Sequence, residues 1–207
     1  MKELIIVGAG GFGREVYYLA KEINRQEQKW IIKGFVDDDE HALDGINIEA
    51  PLLGSIQNWK VSENETFVLG MSSPKTKEIV VNLMKGKGAS FETLISPKAH
   101  VIETATIGEG CIINGSIGDC VKIGNYVNVM GSMIGQDSII DDYSTTTGYT
   151  NIASAHIGKR VFVGSHAVVL HGKKVGDDAF VCAGSIVFSN VKAGTKVFGN
   201  PAKRMIF

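Results

Sequence analysis

Neither sign of charge is in excess in this chain: 21 lysines and arginines face 22 aspartates and glutamates, for a net charge of −1 over 207 residues. A protein that grips nucleic acid or an anionic membrane surface needs a basic surplus, so neither partner is expected. No apolar run reaches the roughly 18 residues of a membrane-spanning helix. The N-terminal MKELIIVGAGGFG has only a short apolar stretch ending in glycines, which reads as a first strand and not as a signal peptide. Cysteine is scarce. Cys111, Cys120 and Cys182 show no C-x-x-C spacing, so no zinc or other metal site and no redox pair is expected. Three small buried hydrophobes in a reducing cytoplasm fit them best.

What the chain does have is a repeat. From Ile95 onward an aliphatic residue returns every six positions, as at Ile95, Val101, Ile107 and Ile113, and later at Val163, Val169, Val175, Val181 and Val187. Gly or Asp often follows it, and a small or apolar residue usually stands four places on. Six residues suit one short strand and a bend, so three units close a triangular coil of about 18 residues, and coils stack into a solenoid. A β-sandwich would instead alternate with period two. The spacing shortens between Ile113 and Ile117, between Val129 and Ile134, and between Ile152 and Ile157. Such slips are expected at corners or loops. Thr146 takes an aliphatic place. Asp141-Asp142 and Asp177-Asp178 fall on outward turns and are expected to be solvated.

The first 92 residues follow different rules. Strands are expected over 3–7, 30–36 and 66–69 and helices over 14–23 and 73–84, with 51–55 as a turn or short connector. This β-α-β alternation predicts a small parallel sheet, and the boundary divides the chain into residues 1–92 and 93–207. Gly8, Gly10 and Gly13 form G-x-G-x-x-G between strand and helix, where backbone N–H groups and a helix N-terminus can receive a phosphate. Gly11 shares that loop. Asp37 and Asp38 end the second strand, where an acid meets a ribose or base. Lys75 and Lys77 are candidate phosphate contacts. A dinucleotide oxidoreductase uses the same fingerprint, but this part supplies only about one mononucleotide-binding half, which favours a single nucleotide over NAD.

IIVGAGGFGREV, GFVDDD, PLLGS, TLISPKAHV, the hexapeptides and GNPAKRM together resemble the bacterial sugar acyltransferases that join a Rossmann-like domain to a left-handed parallel β-helix. Within these the chain is similar to the bacillosamine-type UDP-amino-sugar N-acetyltransferases and the sialic-acid O-acetyltransferase-like proteins. The resemblance implies an α/β nucleotide-binding domain followed by a left-handed β-helix. It also implies a cytoplasmic homotrimer with acetyl-CoA as co-substrate and a nucleotide-sugar, UDP-linked, as acceptor in glycan precursor synthesis. By the same resemblance Gly8, Gly10, Gly11 and Gly13 face phosphate, and Asp37 and Asp38 face the nucleoside.

Relatives of this kind carry a His-Asp or His-Glu pair whose His is the proposed base. In register this chain has Gln136-Asp137, and Thr145 stands where a second His meets the thioester. Gln136 and Asp137 are therefore the expected catalytic positions, and Thr145, Ala153, Ser154 and Lys203 the expected acyl-CoA contacts. Backbone N–H groups near Ala153 and Ser154 are candidate oxyanion donors. A glutamine takes no proton at neutral pH. Positioning of a neutral amine, Asp137 as base, or substitution by His156, His166 or His171 all remain open, as does a catalytically silent trimeric protein that only binds nucleotide-sugar.

Overall fold

Four short parallel strands carry the N-terminal part of the chain. The computed structural model describes residues 1–205 and divides into two units, Met1–Ser72 with Thr76–Pro97, and Ser73–Lys75 with the chain from Lys98 onward. In the first unit β1 (Lys2–Val7), β2 (Trp30–Val36), β3 (Leu52–Gly54) and β4 (Glu65–Leu69) lie in the order β3-β2-β1-β4. Leu4, Ile5, Ile6 and Val7 are all buried, the continuous apolar run of a strand covered on both faces. Helix α1 (Gly11–Gln26) buries Val16, Tyr17, Leu19 and Ala20 on one side, and α2 (Pro74–Gly86) buries Val80, Val81 and Met84. The expected helix over 14–23 is longer at both ends. It begins inside the glycine loop, and after it the Asn24 side chain holds the backbone of Lys29 and Trp30. The expected connector over 51–55 contains β3, which is too short for any alternation to betray it.

The glycines of the first loop do different work. Gly8 sits at φ +105, and a Cβ added at Gly13 would overlap the Gly8 carbonyl oxygen and crowd that of Gly70. Helix and sheet backbones therefore touch at Gly8, Gly13 and Gly70. A Cβ at Gly10 would meet nothing within 4 Å.

The second unit is a left-handed parallel β-helix. Its strands are mostly two residues long and stack in parallel register on three faces. On the first face Ile113, Val129, Thr146, Val163, Val181 and Val197 form one inward column. The second face stacks Ile117, Ile134, Ile152, Val169 and Val187, and the third Ile107, Ile123, Ile140, Ile157 and Val175. These are the aliphatic positions of the repeat. Thr146 keeps its place in the column, fully buried. At the first two slips the strands Ile112–Ile117 and Asn128–Ile134 run unbroken through the corner between the first and second faces. The third slip falls on the corner between the second and third faces, where Ser154 adopts φ 43.

Each corner stacks residues in the left-handed conformation. Tyr126, Tyr143, Arg160 and Asp178 form one such column with φ between 54 and 63. Their strained backbone is held by N–H bonds to the coil before, Tyr143 to Asn125 O at 2.9 Å, Arg160 to Asp142 O at 3.0 Å and Asp178 to Lys159 O at 2.9 Å. The paired acids are not simply solvated, contrary to the expectation from sequence. Asp142 accepts the Asn125 N–H at 2.8 Å, Asp177 accepts the Lys159 N–H at 3.0 Å, and Asp178 takes a two-pronged bond from Arg160 at 2.9 Å on each oxygen. An outward turn on one coil faces the turn of the next, so a short acid there reaches a neighbouring N–H. The cysteines also split. Cys111 is buried, Cys182 intermediate, and Cys120 exposed, because Cys120 occupies a left-handed corner position at φ 55.

Two outcomes follow for stability. Gly13→Ala should cost about 1–3 kcal/mol through overpacking, whereas Gly10→Ala should leave the melting temperature nearly unchanged; denaturant melts of both variants check the contrast. The Arg160 hydrogen bond, opposed by burial and aided by the charges of Arg160 and Lys75, holds the Asp178 carboxyl below the usual carboxylate range. A carboxylate with a depressed folded-state pKa adds stability that is full above its unfolded value near 4 and is lost as pH falls through the folded value. Asp178→Asn should thus lower stability at neutral pH by no more than about 1 kcal/mol for this partly exposed pair. The gap to the unmodified protein should close on acidification, as read from melts taken at stepped pH.

Candidate active site

The glycine loop ends at Gly10, which caps α1 with backbone alone at φ −63, and no acidic residue lies in the helix's first turn. Gly10 and Gly11 are exposed, so the positive end of a 16-residue helix opens to solvent over two residues without side chains. Gly8 and Gly13 are explained by backbone packing; Gly10 is not, and its open space suits an anionic group approaching the backbone.

Asp37 and Asp38 turn apart. Asp37 Oδ2 accepts the Ala9 N–H at 2.7 Å and Oδ1 accepts the Asp39 N–H at 3.0 Å. The acid at the end of β2 therefore braces the glycine loop, and lone pairs remain on both oxygens. Asp38 Oδ1 accepts from the Ser55 hydroxyl at 2.7 Å and the Gln57 N–H at 3.0 Å. Burial opposes its charge, yet these bonds, the Ile56 N–H and the Lys87 charge outweigh it and hold the carboxyl below the usual range. Of the two candidate lysines, Lys75 is exposed and Lys77 fully buried.

On the β-helix, Gln136 and Asp137 lie exposed at the corner between the second and third faces, Asp137 at φ 57. Ala153 and Ser154 turn the same corner one coil on, and the Ser154 hydroxyl donates to Gln136 O at 2.9 Å. Four of the sequence-derived positions are thus gathered. The Ala153 N–H is already given to Val169 O at 3.1 Å, so it is no free oxyanion donor. Among the described residues the backbone N–H groups of Gln136 and Ser154 have no acceptor. Thr145 and Lys203 are elsewhere. Thr145 is fully buried in the first face, the side of the triangle opposite this corner, in register with Asn128 and Phe162. Lys203 is exposed on a terminal antiparallel pairing with Phe198.

His156, one of three histidines that the sequence offers as a substitute base, is paired with Asp141. His156 Nε2 lies 2.8 Å from Asp141 Oδ2, with side chains 39% and 33% exposed. The signal was present: Asp141 directly follows Ile140 and His156 directly precedes Ile157, two aliphatics that share the third-face column one coil apart. Of the other histidines in the β-helix, His166 packs on Tyr149 with ring centroids 5.0 Å apart, and His100 and His171 are exposed. A cavity of about 430 Å³ opens along the second face, lined by Lys98, Asn114, Ser116, Met133, Tyr149 and Asn151 among others.

Asp37→Ala removes the acceptor for the Ala9 N–H as well as an acid at the sheet edge. It should lower stability by the worth of a charged hydrogen bond, about 1.5–3 kcal/mol, as read from denaturant melts, whereas Asp37→Asn, whose amide oxygen can still accept the Ala9 N–H, should lose less.

Residues 3–84 match the family described as the PglD N-terminal domain. Among curated proteins the chain is 30% identical over 108 residues to the bifunctional protein GlmU of Rhizobium rhizogenes, a match covering 51% of this chain and 24% of that protein. The chain thus spans about a quarter of that relative's length. Among solved structures it is similar to the acetyltransferase domain of PglB from Neisseria gonorrhoeae in complex with acetyl coenzyme A, with TM-score 0.89, 22% identity and 99% of each chain covered. It is likewise similar to PerB from Caulobacter crescentus in complex with CoA and GDP-perosamine, with TM-score 0.87 and 20% identity over 99% of this chain and 98% of that one. Residues 3–84 thus resemble the PglD N-terminal domain family, and with the β-helix that follows them the chain has the two-part fold of these two structures.

Proposed function

We propose that the protein transfers an acetyl group from acetyl-CoA to a nucleotide-linked sugar, as a step in making a surface-glycan or polysaccharide precursor in the cytoplasm. The observation that carries this is likeness along the whole chain to two structures whose ligands are acetyl coenzyme A in one and CoA with GDP-perosamine in the other. The open helix N-terminus at Gly10 and Gly11 supports a nucleotide diphosphate there, with Gly8 and Gly13 shaping the loop and Asp37 and Asp38 beside the nucleoside. The corner of Gln136, Asp137, Ala153 and Ser154 supports an acyl-transfer centre on the β-helix. In this reading Gln136 and Asp137 hold the acceptor, and the N–H groups of Gln136 and Ser154 receive the oxyanion of the tetrahedral intermediate. Lys203 serves a CoA phosphate. Thr145 joins the acyl-CoA site only if its buried side chain becomes uncovered. The active form is a homotrimer, since the flat faces of a β-helix bury well against copies of themselves and acyl-CoA fits the grooves so formed. The amino-sugar is UDP-linked, by the family resemblance of the sequence.

A second reading has one observation in its favour. Gln136 offers no basic atom, so the protein could bind nucleotide-sugar without turning it over. Release of the CoA thiol from acetyl-CoA, followed with UDP- and GDP-linked amino-sugars alongside sedimentation, separates the two. The expected outcome is a trimer that releases thiol with a UDP-amino-sugar. Nucleotide-sugars that raise the melting temperature by mass action while releasing no thiol would move the conclusion to a binding protein.

A further inference from the structure

Within the acyl transfer proposed above, on which this inference rests, we propose that His156, oriented by Asp141, is the base that takes the proton of the acceptor. Gln136 cannot accept a proton near neutral pH, and Asp137 is an exposed carboxylate, a weak base for an amine or hydroxyl. The His156–Asp141 pair has what both lack. An ionised carboxylate only accepts hydrogen bonds, so the ring nitrogen at 2.8 Å, Nε2, carries the hydrogen. That leaves the lone pair on Nδ1, which has no partner among the described residues, on a side chain 39% exposed. The carboxylate then stabilises the imidazolium that forms, the role of the acid in other catalytic pairs.

Position supports the same role. His156 opens the strand that follows the Ala153–Ser154 turn, and that turn is bonded to Gln136 through the Ser154 hydroxyl. It stands in register with Ile139, three residues beyond Gln136. The base is thus separated from Ser154 by Ala155 alone and lies one coil on from Ile139. The charged groups around it complete the case. Lys174 lies in register on the next coil, and Lys122 is on the far side of Ile139. Both are exposed cations on this face, suited to the phosphates of a nucleotide-sugar or CoA. Lys173 contributes its carbonyl, which accepts the His156 N–H at 2.9 Å, and Asp141 is the anion on the ring.

The step balances without any further reactant. The acceptor nitrogen or oxygen gives its lone pair to the thioester carbon as its proton passes to His156 Nδ1. The tetrahedral intermediate collapses with breakage of the C–S bond, and the imidazolium returns the proton to the thiolate, leaving acylated sugar and the free CoA thiol.

The test is the rate of thiol release by the full chain with a nucleotide-linked amino-sugar. His156→Gln should lower kcat about 100-fold or more, with little change in either KM or in melting temperature. Asp141→Asn should lower kcat at unchanged KM, as expected of a positioning residue. Added imidazole should restore part of the rate to His156→Ala, which a merely structural role for the ring would not allow. A His156→Gln rate within about 3-fold of the parent, a scatter too small for loss of a base, overturns the assignment while leaving acyl transfer intact. If His156→Gln is instead inactive and also destabilised, rescue of His156→Ala upholds the assignment and its failure overturns it. Should the unmodified protein release no thiol with any nucleotide-sugar it binds, the acyl-transfer reading and the base fall together.

Discussion

The hydrogen-bonded register between successive coils is the constraint on which the β-helix depends. Strands of two residues cannot stand alone, since a short isolated pairing is marginal in water. Each gains stability only because the same aliphatic position recurs above and below it, as in the column Ile134, Ile152, Val169 and Val187. The register also fixes what happens outside the core. An aspartate at one turn meets a backbone N–H of the coil before, so Asp142 and Asp177 close coil to coil, and Asp178 closes on Arg160. The left-handed turns carry tyrosine, arginine, histidine and serine as well as glycine, because inter-coil bonds hold a conformation that those residues do not favour alone.

The same register assembles the candidate centre. Gln136 and Ser154 are bonded because they turn the same corner on adjacent coils, and His156 reaches Asp141 because their strands stack on the third face. In such a fold a side chain's chemical partner is found about one coil away in sequence, and a shortened spacing changes which residue meets which. The slip between Ile152 and Ile157 removes one residue from a turn. Ser154 then takes the left-handed corner position and leaves its N–H without an acceptor among the described residues.

In the N-terminal unit the governing contact is between backbones. Gly8, Gly13 and Gly70 let α1 sit directly on the ends of β1 and β4, and Asp37 ties the loop to β2 through Ala9. The fingerprint thus divides by role. Two of its glycines are demanded by packing, while Gly10, the N-cap of α1, stands in open space with nothing within 4 Å of an added Cβ.

How much of this was legible follows from the length scale of each signal. The repeat and the alternation of strand and helix are local and periodic, so the solenoid, its inward columns and the small parallel sheet could be read from the residues in order. Motif resemblance supplied the hand of the helix, which periodicity alone does not carry. The glycine loop, the corner of Gln136 and Asp137, and its neighbours Ala153 and Ser154 were likewise within reach of the sequence. What the sequence did not decide depends on which coil stacks on which. That includes Asp141 turning to His156, Asp37 serving its own loop, the Ala153 N–H already spent, Cys120 exposed and Thr145 buried. Period six determines which way a side chain points, but only the stacked coils decide what it meets there.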